Sequence, residues 1–463
     1  MDFTSNFFFI LAFLFYLLLY VLKRIHWVDK SHIDSYVLVA SIGIYTLWYP
    51  PAVLILAYVI GVTQVSARLL AKQPRQGILT LAVMALLAPL LFFKYFDFVM
   101  ALIMAKTHDQ QTWLLPLGIS FYVFTAIGYL VTVYRDQLSA LLSFKKVALL
   151  ISFWPHLAAG PILRAELFKN PKHHMAKLSH GALMAGLVLI VGGAAKKIFI
   201  ADNLGAYVNH NIDQGLASMD ALSAVLTVFG FGGQIYADFS GYSEMALGFA
   251  LLIGYRIPAN FNYPYLAASA TEFWHRWHIS LSTWFRDFLY FPLGGSRQGF
   301  SRTCINLMLV FVISGLWHGA SISFLIWGAA HGVLLIINRI YQRHFEPMRF
   351  WLGWILTFVA VNWVWVFFRF EVDEAWLLTS KLFDPSAWSD WRMDSAYYSV
   401  PIVFFLLMTA VDHWFKYYHV NQQGGLEVFG RRSKAMTYLY VTLMLGLAAT
   451  FSGQPIPFIY FEF

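Results

Sequence analysis

The residues best suited to chemistry lie in Gly315-Leu316-Trp317-His318-Gly319, within the apolar stretch 310–340. An ionisable side chain is costly inside a hydrophobic span, so an intramembrane His is a functional candidate by default. Imidazole changes charge near neutral pH, which suits it to take and return a proton. Trp317 offers a flat wall beside His318. Gly315 and Gly319 are four apart and would share one face of a helix, where another backbone could approach closely. A second unit, Gly328-Ala329-Ala330-His331-Gly332, follows. Helix packing alone explains two such units poorly, although a His hydrogen-bonded across a helix pair is the competing structural account.

Other polar residues stand in apolar or aromatic surroundings. Asp238 and Glu244 fall in Tyr236-Ala-Asp-Phe-Ser-Gly-Tyr-Ser-Glu244, where either acid could orient a His or order a loop. Lys196 and Lys197 close the apolar stretch 181–200; snorkelling to the interface and lining a polar cavity are both open to them. His275 and His278, three apart, would share a helix face, but no third metal ligand is evident and H-E-x-x-H is absent, so we assign no metal site. Arg276, Arg286, Arg297 and Arg302 suit a cytoplasmic phosphate site, because the guanidinium fork donates two hydrogen bonds at once. A phosphate-bearing donor such as coenzyme A fits them, and so do lipid headgroups. Cys304 is the one cysteine, which excludes a disulfide framework and a Cys-based metal centre. No P-loop, G-x-S-x-G or dinucleotide fingerprint is present.

The elements that carry these residues are membrane spans. The chain has 463 residues, 59% hydrophobic and only 12% charged, and no soluble core needs that much apolar surface. Many stretches reach the ~20 residues needed to cross a bilayer, giving an all-α polytopic integral membrane protein with about eleven to twelve spans plus re-entrant and interfacial helices. We expect one membrane-embedded domain over 1–463, with 1–75 least distinctive, 90–370 bearing the motifs, and further spans in 371–463. The net charge of +8 sits in loops, so it reads as topology and membrane-surface charge and not nucleic-acid binding. Lys23-Arg24 after the first apolar stretch, 5–22, place the N-terminus outside, as a retained span.

In order, 36–49 and 51–67 should form a helical hairpin about Pro50-Pro51, and 77–100 and 113–134 should cross, with 106–112 an external loop. The fourteen-residue piece 147–160 suits a re-entrant segment, and Trp154 to Pro161 should line a cavity. Residues 201–220 read as an outer loop, 221–256 as broken helix with a polar interior, and 256–302 as aromatic–cationic helices lying at the interface. Spans follow at about 305–318, 320–340, 350–369, 398–416 and 435–453.

Asp238-Phe-Ser-Gly-Tyr-Ser243, Phe273-Trp-His-Arg-Trp-His-Ile-Ser-Leu-Ser-Thr-Trp284, Pro292-Leu-Gly-Gly295 and Ser314-Gly-Leu-Trp-His-Gly-Ala320 occur in that order. So do Phe93-Lys-Tyr95, Pro116-Leu-Gly-Ile-Ser-Phe121, Ala159-Gly-Pro-Ile162, Trp365-Val-Phe-Phe-Arg369 and the tail Phe458-Ile-Tyr-Phe-Glu-Phe463. This set resembles the membrane-bound O-acyltransferase family over nearly the whole chain. Within the family it resembles the bacterial branch that includes the alginate O-acetylation membrane protein. The resemblance implies a membrane-embedded funnel or tunnel and acyl transfer from a thioester donor to a hydroxyl, with His318 catalytic. His331, Trp317, Asp238 and His278 then rank behind it as catalytic or substrate-orienting residues. It also implies acetyl-CoA as donor substrate with no bound cofactor, and an exopolysaccharide such as alginate or cellulose as destination. The expected partners are a periplasmic SGNH-type acetyltransferase and a polysaccharide synthesis or secretion complex, around a chain in the bacterial inner membrane. The chain departs from the branch pattern at Glu244, Tyr263 and His275, where Asp, Arg and Arg are common. D-alanyl transfer to teichoic acid and peptidoglycan O-acetylation are alternatives within the family. A transporter with a His proton relay is the alternative of another class, for which no internal repeat speaks.

Overall fold

A computed structural model describes residues 12, 14–16, 18, 32–104, 115–136, 141–157, 160–169, 180–389, 403, 406, 418–420, 426–428, 441–446, 450 and 456–459. The expected external loop 106–112 and most of the stretches at 5–22, 398–416 and 435–453 lie outside them. The described chain is overwhelmingly helical, with one short antiparallel ladder, Tyr418–Val420 against Leu426–Val428. Contacts divide it into two compact units, residues 1–186 with 246–258, and residues 187–245 with 259–463.

The first unit holds α1 (Ile33–Trp48), α2 (Ala52–Lys72), α3 (Gln76–Met104), α4 (Ile119–Tyr134) and α5 (Phe144–Ser152). The break between α1 and α2 falls at Tyr49–Pro51, because proline cannot supply the N–H that would continue α1. Helix α4 is buried almost throughout, whereas α3 exposes Leu81, Met84, Leu91 and Phe92. Such an apolar surface would be a liability in water and is what a helix against lipid requires. Helix α5 has nine residues, too few to cross a bilayer, and the chain after it turns through Trp154, Pro155 and His156, all buried. The Trp154 N–H donates to the Ser41 hydroxyl at 3.2 Å, which ties that turn to α1.

The second unit begins within α6 (His180–Ala195), which runs through a π-helical stretch at Lys196–Ala201 into α7 (Asp202–Asp213). The expected loop at 201–220 is therefore helical as far as Asp213: Leu204, Tyr207 and Val208 are buried there, and Asp202 is consumed by an ion pair with Lys197 at 2.8 Å. The expected broken helix at 221–256 is instead one uninterrupted helix, α8 (Ala221–Ile253). Its glycines serve contact between helices. A Cβ on Gly241 would lie 2.6 Å from the Gly193 carbonyl oxygen of α6. Its acids, Asp238 and Glu244, are paired with lysines, so the helix has no need to open to satisfy them.

Then come α9 (Ala270–Arg276), α10 (Ile279–Phe285), α11 (Phe300–His318), α12 (Ile322–His344), α13 (Phe350–Val364) and α14 (Val372–Lys381). The region expected to lie along the interface turns its aromatic side chains into the protein and leaves His275, Arg286, Arg297 and Arg302 exposed. Phe273, Trp274, Trp277, His278, Trp284 and Phe285 are all buried, so their aromatic surface meets protein. Six described helices are long and apolar enough to cross a membrane: Ala52–Lys72, Gln76–Met100, Ala182–Asp213, Phe300–His318, Ile322–His344 and Phe350–Arg369. With the shorter apolar helices Ile33–Leu47 and Ile119–Tyr134, they make the chain a multi-pass, all-α membrane protein.

Candidate active site

Helices α11 and α12 form a hairpin with a tight connection, and the hairpin carries both glycine–histidine units. His318 is the last residue of α11, and Gly319 caps the helix in an extended conformation with its N–H on the Gly315 carbonyl at 3.3 Å. Gly315 and Gly319 thus belong to the final turn of one helix. Gly315 faces Gly328 of α12: a Cβ on Gly315 would lie 3.3 Å from the Gly328 Cα and would overlap the Phe324 carbonyl oxygen. The glycines do pack helix on helix, and the close approach they permit sets His318 beside Trp327.

The His318 imidazole is 4% exposed and walled by three rings, each edge-on: Trp317 at 4.8 Å, Trp327 at 5.0 Å and Phe368 at 5.2 Å between centroids. His331, four residues after Trp327 in α12, lies 4.8 Å from the Trp327 ring and 4.9 Å from Trp274. Neither ring nitrogen of His331 has a hydrogen-bond partner among the described residues. His278 joins the same cluster, 6.0 Å from Trp317 and 4.7 Å from Phe239 of α8. The structure therefore gathers His318, His331, His278 and Trp317 into one aromatic assembly.

His278 does not share a helix face with His275. Helix α9 ends at Arg276, and His278 takes a left-handed conformation, φ +42°, as the cap that starts α10. That reversal leaves His275 exposed and His278 buried. No cluster of three or more His, Cys, Asp or Glu that could hold a metal occurs among the described residues. The His278 Nδ1 lies 3.2 Å from Asn260 Oδ1, which also accepts from the Ser280 N–H at 3.1 Å and the Ser280 hydroxyl at 2.8 Å. The backbone N–H identifies that Asn atom as the carbonyl oxygen, so Nδ1 carries the proton and Nε2 presents a lone pair. Burial holds the imidazole neutral, its pKa pushed down to about 3. Asn260→Ala would strip the acceptor from these buried donors. We expect a loss of about 2 kcal/mol or more in thermal unfolding, from the usual ~1–3 kcal/mol per orphaned buried group.

Asp238 of α8 accepts from the Ile459 N–H at 2.8 Å and pairs with Lys197 at 3.0 Å. The arginines stand on separate elements. Arg276 ends α9 and pairs with Glu272 at 2.6 Å. Arg286 follows α10, pairs with Asp287 at 2.8 Å and lies over the Phe291 ring. Arg297 and, in the first turn of α11, Arg302 are exposed. Sequence reasoning gave no site role to Trp327, Phe368 or Asn260. The placing of Trp327 immediately before the second glycine–histidine unit is the one signal that could have found it.

The His318 imidazole is thus shielded from water by aromatic rings within a multi-pass membrane protein. Residues 76–372 match the family model of MBOAT, the membrane-bound O-acyltransferase family, and the chain belongs to that family. It is 39% identical over 391 residues to a protein of Pseudomonas syringae pv. tomato named "probable alginate O-acetylase AlgI", covering 80% of this chain and 73% of that one. A Helicobacter pylori peptidoglycan O-acetyltransferase is 36% identical over 63% of this chain and 61% of its own. A Bacillus subtilis teichoic acid D-alanyltransferase is 27% identical over 51% of this chain and 62% of its own. Family and relatives together make this chain an O-acyltransferase.

Proposed function

We propose that the enzyme takes an acetyl group from acetyl-CoA at the cytoplasmic face of the bacterial inner membrane. The acetyl is passed on for O-acetylation of an exopolysaccharide such as alginate or cellulose, with His318 as general base. The observation that carries the base assignment is the His318 ring, buried where α11 meets α12 and enclosed by Trp317, Trp327 and Phe368. In the step proposed, an acceptor hydroxyl oxygen attacks the thioester carbonyl while His318 takes the hydroxyl proton. The C–O bond forms, the C–S bond breaks, and the thiolate leaves and recovers the proton from His318. A closed, apolar site protects the thioester from hydrolysis and strengthens each polar contact the reaction makes. The acetyl donor and exopolysaccharide destination are favoured by relatives named alginate O-acetylase at 36–39% identity over 80–84% of the chain, against 27% over 51% for the D-alanyl relative. A periplasmic SGNH-type acetyltransferase would receive the group, with the N-terminus on that side and a polysaccharide synthesis or secretion complex beside it.

The experiment is transfer of label from acetyl-CoA, in membranes carrying the parent or the His318→Ala chain, to the co-encoded extracytoplasmic proteins. Label reaching partner or polysaccharide only with the parent supports the reading. Label with neither, from inserted protein, overturns the acetyl donor and points to a carrier-linked D-alanyl group. For the donor, Arg286 and Arg297 are both exposed, so each contact with a CoA phosphate is screened by solvent. We expect Arg286→Ala and Arg297→Ala each to raise the apparent KM for acetyl-CoA roughly three- to tenfold, as loss of a partly screened charge-assisted hydrogen bond would. An unchanged KM removes them from the donor site.

A further inference from the structure

The chemistry proposed at His318 makes no use of the buried charges beside α8. Lys196 and Lys197 are 2% and 3% exposed, and neither snorkels to an interface. Both lie on the π-helical stretch between α6 and α7, whose wider turn lets consecutive side chains face the interior. The Lys196 ammonium donates to Glu244 at 2.6 Å. The Lys197 ammonium meets Asp202 at 2.8 Å, Asp238 at 3.0 Å and the backbone carbonyl of Ile456 at 2.7 Å.

An ammonium has three N–H donors, and these are its three acceptors. Two come from neighbouring helices and the third from the C-terminal segment. Asp238 divides its carboxylate in the same way. One oxygen faces Lys197, and the other accepts the Ile459 N–H at 2.8 Å. Both links to the segment are main-chain bonds, so they fix its path and not the identity of its side chains. Between them Phe458, 2% exposed, packs 5.1 Å from Tyr242 and 6.2 Å from Phe239. Phe239 is in turn the ring 4.7 Å from His278. Without the segment, a buried ammonium donor would lose its partner, an expensive state for a charged group.

We propose that Lys197 and Asp238 are positioning residues whose ion group docks the C-terminal segment 456–459 one aromatic ring away from His278. The part of this that concerns catalysis, that docking is needed for transfer, rests on the acyl-transfer reading above. The dock itself does not.

The test uses the 463-residue protein with Cys304→Ser, which removes its one cysteine. Phe458→Cys then reports docking by its rate of maleimide labelling in detergent. Leu378→Cys, at a 0% exposed site in a separate core cluster, reports global unfolding. The thiol introduced by Phe458→Cys should label slowly in this parent and at least tenfold faster with Asp238→Leu or Lys197→Met. The thiol introduced by Leu378→Cys should stay protected in all three. Lys197→Arg, which keeps charge and several donors, should hold labelling at the Phe458→Cys site within threefold of the parent. Acyl transfer, measured with Phe458 intact, should be lost in the two releasing variants and retained in Lys197→Arg. Fast labelling of the tail thiol in the parent, unchanged labelling in the variants, or equal release of the core thiol each overturns the dock. Release of the tail thiol with undiminished transfer overturns its part in catalysis. Absence of transfer in the parent overturns the function proposed above and leaves the labelling comparison to judge the dock by itself.

Discussion

Membranes carrying His318→Ala should transfer acyl groups about 10²–10⁴-fold more slowly than the parent, the range that general-base catalysis contributes. A hydroxyl is a poor nucleophile until its proton has somewhere to go, and a nearby imidazole provides the place. Truncation also removes a ring packed against Trp317, Trp327 and Phe368. Some stability will be lost with that packing, so the rate has to be read on protein shown to be inserted and folded. His318→Gln keeps more of the volume and a hydrogen-bonding end but cannot take the proton. It should be as slow as His318→Ala while unfolding closer to the parent temperature. His331→Ala is the internal comparison. His331 lies 4.8 Å from the Trp327 ring that is itself 5.0 Å from His318, so removing it perturbs the same wall while the His318 imidazole is kept. A His318→Ala enzyme at the parent rate would move the base elsewhere and point to His278, whose Nε2 presents a lone pair.

The class of fold and the family were readable from composition and from long motifs in fixed order, because lipid leaves few ways to satisfy a backbone and helices are the commonest. The ends of individual helices were less readable. Asp202 and Asp238 look like loop or helix-breaking residues while their partners are unknown. Once Lys197 stands between them they are compatible with unbroken helix. The glycines of α8 mislead in the same way, since a low helix propensity is outweighed where close approach to Gly193 is gained. Composition marks the stretch near His278 as aromatic and cationic, but not which of its side chains are buried. The left-handed turn at His278, which separates it from His275 and drives it inward, leaves no mark on hydropathy. His318, Trp317 and His331 were visible because an ionisable group in an apolar run is rare. Asn260, which orients His278 from eighteen residues away, was not, because an Asn beside a Phe carries no periodic signal.

Gly328→Ala should destabilise the protein, against the sign that helix propensity alone would give. In an open helix, Gly to Ala gains about 1 kcal/mol. At Gly328 the added Cβ would overlap the Phe311 carbonyl oxygen and lie 3.2 Å from the Gly315 Cα, so the obstacle is backbone on the facing helix. Backbone cannot rotate aside as a side chain can, and overpacking of this kind costs about 1–3 kcal/mol even for small additions. The penalty therefore exceeds the gain, and Gly328→Val should exceed it further. Thermal unfolding in detergent should show both, with Gly61→Ala in α2 neutral or stabilising, because nothing lies within 4 Å of a Cβ there. Gly315→Ala and Gly328→Ala face one another across the hairpin, so the double variant should cost less than the two singles added, the second substitution entering a gap the first has already opened. The same displacement would draw His318 away from Trp327, so transfer should fall more steeply than stability. A Gly328→Ala enzyme with parental unfolding and parental transfer would mean that α11 and α12 do not approach this closely, and the cage around His318 would have to be redrawn.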